Sequence, residues 1–141
     1  MTDAVLRLID AGLPPDKIVP GLPLYGRSFS GVDSPGAIGS PFAGAGPGST
    51  EPGVIDYTDL SACYIDSISY QSRWDSAAEA SSLYSARHQI FISFESVSSA
   101  ERKVAWIRSR GLRGIMFWEL SQDFGGIIGC ARPFPRRRQS P

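Results

Sequence analysis

The stretch Gly111-Leu112-Arg113-Gly114-Ile115-Met116-Phe117-Trp118-Glu119-Leu120 decides how this chain folds. It holds a helix-stopping glycine, a short turn, and an apolar run that closes on an aromatic beside an acid. Before it, Ala100, Val104 and Ile107 recur at helical spacing, so residues 98–110 read as a helix. Ser98 with Glu101 three residues on matches a capping box, and Gly111 ends the helix. A helix followed by a strand is the repeating unit of a parallel βα architecture, in which ligand contact concentrates at the C-terminal ends of the strands. There Trp118 either plugs the core or offers its flat face to a sugar ring, and pattern alone leaves both open.

A second segment carries the same layout. Val5, Leu8 and Ile9 share one face of a helix over residues 2–11, and Gly12 supplies its stop. Pro14-Pro15 forces an extended turn, and residues 18–24 read as a strand ending at Tyr25-Gly26. Pro20 has no N–H to give a ladder, so the strand is expected to be irregular there.

Between these units lies a different texture. Residues 30–51 are loop by composition. Gly44-Ala45-Gly46-Pro47-Gly48 lacks the Lys-Ser/Thr and the preceding strand of a phosphate-cradling loop. Val54 to Tyr57, Ser67 to Tyr70 and Ile90 to Phe94 are short strand candidates, the last with clear alternation. The middle therefore reads as a small, mostly antiparallel α+β unit spliced between two consecutive βα units of a parallel barrel.

Bulk composition narrows the partners. Lys and Arg number 14 and so do Asp and Glu, so charge implies no nucleic acid or other polyanion. No stretch approaches the ~20 apolar residues of a membrane span. No basic-then-apolar leader follows Met1. The sequence has no Asn, which excludes N-linked glycosylation. No metal-ligand spacing or cofactor motif stands out. Cys63 and Cys130 are too few to fix a redox compartment, and by composition alone they read as two buried free thiols. Arg136-Arg137-Arg138 in a Pro-rich tail reads as a solvated end. Glu119 alternates to the opposite side of its strand from Trp118, which argues against a shared carboxylate site with Asp123.

Taken together, Gly-Leu-Pro-Leu-Tyr-Gly-Arg-Ser-Phe at 21–29 and Gly-Ile-Met-Phe-Trp-Glu-Leu at 114–120 resemble glycoside hydrolase family 18, the chitinases and chitinase-like lectins. Residues 47–54 resemble the start of that family's insertion domain. Trp74-Asp75, Leu83-Tyr84 and Phe91 to Phe94 resemble its later part. The likeness runs from about Leu13 to Phe124. Thr50 and Ser81 stand where members often have an aromatic and a proline.

The resemblance implies an α/β fold: a partial TIM (β/α)8 barrel comprising its last two strands, with an α+β insertion domain. Residues 1–28 would hold a helix and strand seven, 29–94 the insertion, 95–124 a helix and strand eight, and 125–141 an irregular tail. It further implies an extracellular protein acting on chitin or chito-oligosaccharides, without cofactor. The family's Asp-x-x-Asp-x-Asp-x-Glu motif, whose Glu protonates the glycosidic oxygen, does not occur in the sequence, nor does its Tyr-Asp pair. By the same resemblance the substrate-binding residues are Trp118 as a sugar floor, Tyr25 and Arg27 along the groove, and Glu51 facing it, free to pair with Arg27. An Arg27–Glu51 ion pair tying the insert to the barrel is the alternative role. Cys63 and Cys130 match two positions that animal-type members join in a disulfide. A non-catalytic chitin-binding or lectin-like module is the alternative to a hydrolase fragment.

Overall fold

The structure, a computed structural model, describes residues 1–34, 41–123 and 126–131. Helix α1 (Thr2–Asp10) buries Val5 and half-buries Ile9, while Leu8 stands exposed. It ends where Gly12 takes φ +91°, a conformation glycine adopts without penalty. A single 3-10 turn, Pro15–Lys17, leads into strand β1 (Gly21–Pro23). The expected strand over 18–24 is thus shorter. The carbonyls of Ile18 and Pro20 accept from the N–H groups of Arg113 and Met116, the Ile18 N–H turns back to the Pro15 carbonyl, and regular pairing begins past the proline.

β1 pairs in parallel with β8 (Met116–Trp118), with Gly21 opposite Met116 and Pro23 opposite Trp118. These two strands form a sheet of their own. Leu24 is the hinge out of it: its N–H donates to the Trp118 carbonyl at 2.7 Å and its carbonyl accepts from Tyr57 at 3.0 Å. The first strand was expected to end at Tyr25-Gly26. Instead Tyr25 opens β2 (Tyr25–Ser30), which belongs to a second, antiparallel sheet.

That sheet runs β3 (Gly44–Ala45), β2, β7 (Ile90–Phe94), β6 (Ala80–Ser85), β5 (Gln71–Asp75), with β4 (Val54–Asp56) beside β3 on the same edge of β2. β5 and β6 were not anticipated as strands. Every residue of β5 is exposed, and β6 buries side chains only from Leu83 to Ser85, so neither carries an apolar alternation. The strand expected at Ser67–Tyr70 is a turn with Ile68 fully exposed. A hydroxyl-rich tetrapeptide with one apolar residue has no buried face to hold a register.

The core lies on one face of the antiparallel sheet. Ile55, Leu83, Ile92 and Phe94 meet Leu24, Leu60 and Tyr57 there, the latter two from the short helix α2 (Tyr57–Asp59) and the wide turn Leu60–Tyr64 that continues it. Gly26 lets this layer close: a Cβ there would lie 3.0 Å from Leu60 Cδ1 and 3.2 Å from Ile92 Cγ2. Helix α3 (Val97–Ser109) joins the two sheets, giving Ala100 to this core and Ile107 to a second one with Val5, Ile18 and Leu112.

The capping box of α3 sits two residues earlier than expected. Ser96, not Ser98, is the cap, and it exchanges hydrogen bonds with Ser99. The Ser99 hydroxyl also donates to Glu95 Oε2 at 2.6 Å, and Lys103 Nζ donates to Glu95 Oε1. That buried cluster fixes the start of the helix, leaving Glu101 free of it. The arginine run at 136–138 lies outside the described residues.

Candidate functional site

Strand alternation sorts β8 cleanly. Phe117 packs against the first core and Ile115 against the second, while Met116 and Trp118 emerge on the other side. Trp118 is 63% exposed, so it does not plug the core. The peptide after it is cis. Its neighbour Glu119 is also exposed and accepts a hydrogen bond from Ser121 Oγ.

β1 holds the second part of the site beside this indole. Pro23 is opposite Trp118, and two residues on, Tyr25 begins the antiparallel sheet. Tyr25 and Arg27 alternate onto the same face, and the Arg27 guanidinium lies 5.3 Å from the Tyr25 ring centroid. Tyr25 is opposite Asp56 and Arg27 opposite Val54, which in turn bridges to Glu51. Trp118, Tyr25, Arg27 and Glu51 therefore sit on adjoining backbone.

The Arg27–Glu51 ion pair, the alternative role for these two residues, is not formed. Among the described residues the ion pairs are Arg102–Glu79 at 3.2 Å and Lys103–Glu95. An exposed ion pair gains little against the entropy of fixing two side chains. Stacking on the i−2 tyrosine needs only one. Glu51 stays exposed in the turn before β4.

The expected Cys63–Cys130 disulfide is not formed either: both are free thiols. Cys63 is exposed on the turn after α2. Cys130 is half-buried at the edge of the first core, 3.6 Å from the Gly126 carbonyl. Burial, with a lesser push from Glu101, raises its pKa above the ordinary thiol value.

One positioning residue escaped sequence reasoning. Gln122, in the 3-10 turn Leu120–Gln122 after β8, donates to Asp56 Oδ1 at 2.6 Å and accepts from the Glu119 N–H at 3.3 Å. Its carbonyl accepts from Thr58 Oγ1. The side chain thus ties the end of β8 to β4, and through the Asp56–Tyr25 register to the start of β2. Asp123 is engaged likewise, accepting from the N–H groups of Ile127 and Ile128. The carboxylates of Glu119, Asp56 and Asp123 thus all accept hydrogen bonds within the fold. Beside them stand an exposed indole, a tyrosine bearing a stacked guanidinium, and the exposed Glu51 carboxylate, groups whose chemistry is stacking and hydrogen bonding.

Comparison with known proteins gives the family. Residues 1–123 match the family model described as glycosyl hydrolases family 18. The chain is similar to chitinase A1 of Niallia circulans, with 40% identity over 117 residues, 82% of this chain and 17% of that protein. It is similar to endochitinase 1 of Metarhizium robertsii, with 40% identity over 132 residues, 92% of this chain and 29% of that protein. The structure of an Ostrinia furnacalis group IV chitinase in complex with allosamidin superposes with a TM-score of 0.77 at 34% identity, over 86% of this chain and 33% of that one. The chain therefore spans a third or less of the length of these relatives. With the family model matched over most of its length, the chain belongs to glycosyl hydrolases family 18.

Proposed function

We propose that this chain is the C-terminal portion of a chitinase-type glycoside hydrolase and supplies the sugar-holding part of its groove. In this reading residues 1–28 and 95–124 are the last two βα units of an eight-stranded barrel, and residues 29–94 are the insertion domain. The substrate class is β-1,4-linked N-acetylglucosamine, as chitin or chito-oligosaccharide, met outside the cell. Trp118 floors a subsite, Tyr25 and Arg27 line the groove, and Glu51 bonds a hydroxyl from the insertion side. The chain has no catalytic acid of its own, so it binds sugar without cleaving it. The observation that carries this is the emergence of Trp118, exposed, at the end of β8 and opposite Pro23, two residues before the strand that bears Tyr25 and Arg27.

A second reading, a non-catalytic chitin-binding module, draws on the engagement of Asp56 and Asp123 in structural hydrogen bonds. The test is retention on chitin beads together with a fluorogenic chito-oligosaccharide assay. Retention that Trp118→Ala abolishes, without turnover, is expected. Turnover by the purified 141-residue chain would overturn the assignment of roles, and absence of any retention would overturn sugar binding itself.

A further inference from the structure

The open face of the antiparallel sheet carries a row of side chains that starts at Arg27 and runs beyond the proposed groove. Arg27 is opposite Ser93, Ser93 opposite Ser82, and Ser82 opposite Arg73. Residues paired in register project to the same face, so these four form one transverse row. It crosses three strand spacings, about 14 Å. The opposite face bears Leu83 and Ile92 and is core.

At its far end the row opens into a concavity of about 660 Å³ beside Arg73, Asp75, Phe91 and the two serines. Half-buried Phe91 gives it an apolar floor. The Ser82 and Ser93 hydroxyls have no hydrogen-bond partner among the described residues. Arg73 rests over the Tyr84 ring at 5.9 Å and reaches Gln71 Oε1 with one nitrogen at 3.4 Å, leaving other donors unused. Asp75 uses Oδ1 on the N–H groups of Ala77 and Ala78, and its other oxygen is unengaged. One cation, one anion, two hydroxyls and an aromatic floor suit a neutral, hydroxyl-rich ring better than a polyanion.

We infer that the sugar groove continues past Arg27 along this row, and that the concavity at Arg73 and Phe91 holds further rings of a longer β-1,4-linked N-acetylglucosamine chain. This rests on the sugar-binding reading proposed above. Ser93 and Ser82 bond successive rings on the way, and Arg73 and Asp75 orient the distal one.

The 141-residue chain is titrated with the disaccharide and the hexasaccharide of β-1,4-linked N-acetylglucosamine. The hexasaccharide should bind more tightly, and Arg73→Ala should weaken it roughly ten- to a hundredfold, the loss expected for one charged hydrogen bond, with disaccharide binding unchanged. Because Arg73 lies on an edge strand, hydrogen exchange by mass spectrometry gives a second measurement on the unmodified chain. Peptides covering 80–94 should gain protection with the hexasaccharide and not with the disaccharide. Binding that is independent of length, with no change in Arg73→Ala and no protection at 80–94, overturns the extension and leaves the groove reading standing. No binding at either length overturns both.

Discussion

The Gln122 carboxamide donates to Asp56 Oδ1 at 2.6 Å across 66 positions of sequence, and this contact ties the rim of the parallel pair to the antiparallel sheet. Asp56 is opposite Tyr25, so the same bond links the turn after Trp118 to the strand that carries the tyrosine.

Gln122→Ala removes a hydrogen bond to a charged acceptor and should destabilise the fold by about 1.5–3 kcal/mol in urea unfolding. Gln122→Glu places a second carboxylate against Asp56. Its penalty should be largest at neutral pH and shrink as acid protonates either group. A Gln122→Glu variant as stable at pH 7 as at pH 4, relative to the unmodified chain, would argue that the tie is not formed in solution.

Trp118→Ala separates binding from stability. The indole is mostly solvated, so its loss should change unfolding free energy by less than about 0.5 kcal/mol. If it is a sugar platform, chito-oligosaccharide affinity should fall by about 1–3 kcal/mol. A large stability loss with unchanged affinity would place the indole in a packing role instead.

Lys103→Met should be costly, because it leaves Glu95 charged, buried and unpaired at the start of α3, with the Glu95 side chain 11% exposed. We expect a loss of about 3–5 kcal/mol. The double variant Glu95→Gln, Lys103→Met should recover much of it, since it removes the stranded charge. Chemical unfolding of Lys103→Met, Glu95→Gln and the double variant checks the cycle, and equal losses in Lys103→Met and the double variant would contradict it.

Burial raises the pKa values of Tyr57, Tyr64 and Tyr70 above the usual 10.0, with Asp123 adding to the effect at Tyr57. The folded state therefore holds these protons more tightly than the unfolded chain does. The corresponding stability is complete below pH 10 and drains away as pH rises through the folded values. Unfolding titrations should be insensitive to tyrosine ionisation at neutral pH and turn downward above about pH 10, with Tyr57→Phe blunting the decline. A stability that rises with pH in that window would reverse the sign.

At mildly alkaline pH the two thiols should differ in reactivity. Exposed Cys63 should alkylate readily, while Cys130, half-buried and with a raised pKa, should lag until the chain unfolds. Peptide mass spectrometry after timed iodoacetamide treatment reads this directly.

Several of these features were legible in the sequence because an apolar period announces them. Ala100, Val104 and Ile107 gave α3, and the alternation of Ile115, Met116, Phe117 and Trp118 gave both β8 and the side on which Trp118 emerges. β5 and β6 were not legible. Gln71 to Asp75 bury nothing, and their place in the sheet comes from backbone pairing that any side chain permits. The Ser96–Ser99 cap was misplaced by two residues because three serines in four positions offered competing frames. The Gln122–Asp56 tie has no local signature at all: two polar residues far apart in sequence leave no period to read. The alternative Arg27–Glu51 pair is not formed because complementary charge on adjoining backbone does not compel contact, and the guanidinium lies over the Tyr25 ring instead.

The parallel pairing of Gly21 with Met116 joins residues about ninety-five positions apart. Closing so long a segment directly would be entropically unfavourable and slow. The antiparallel sheet offers a shortcut. Once Arg27 of β2 has met Ser93 of β7, the stretch still to be closed shrinks to the few residues before β2 plus α3 and its turn. This imposes an order of assembly: the antiparallel ladder zips first, α3 docks across it, and the strand that carries Trp118 is delivered to its place last.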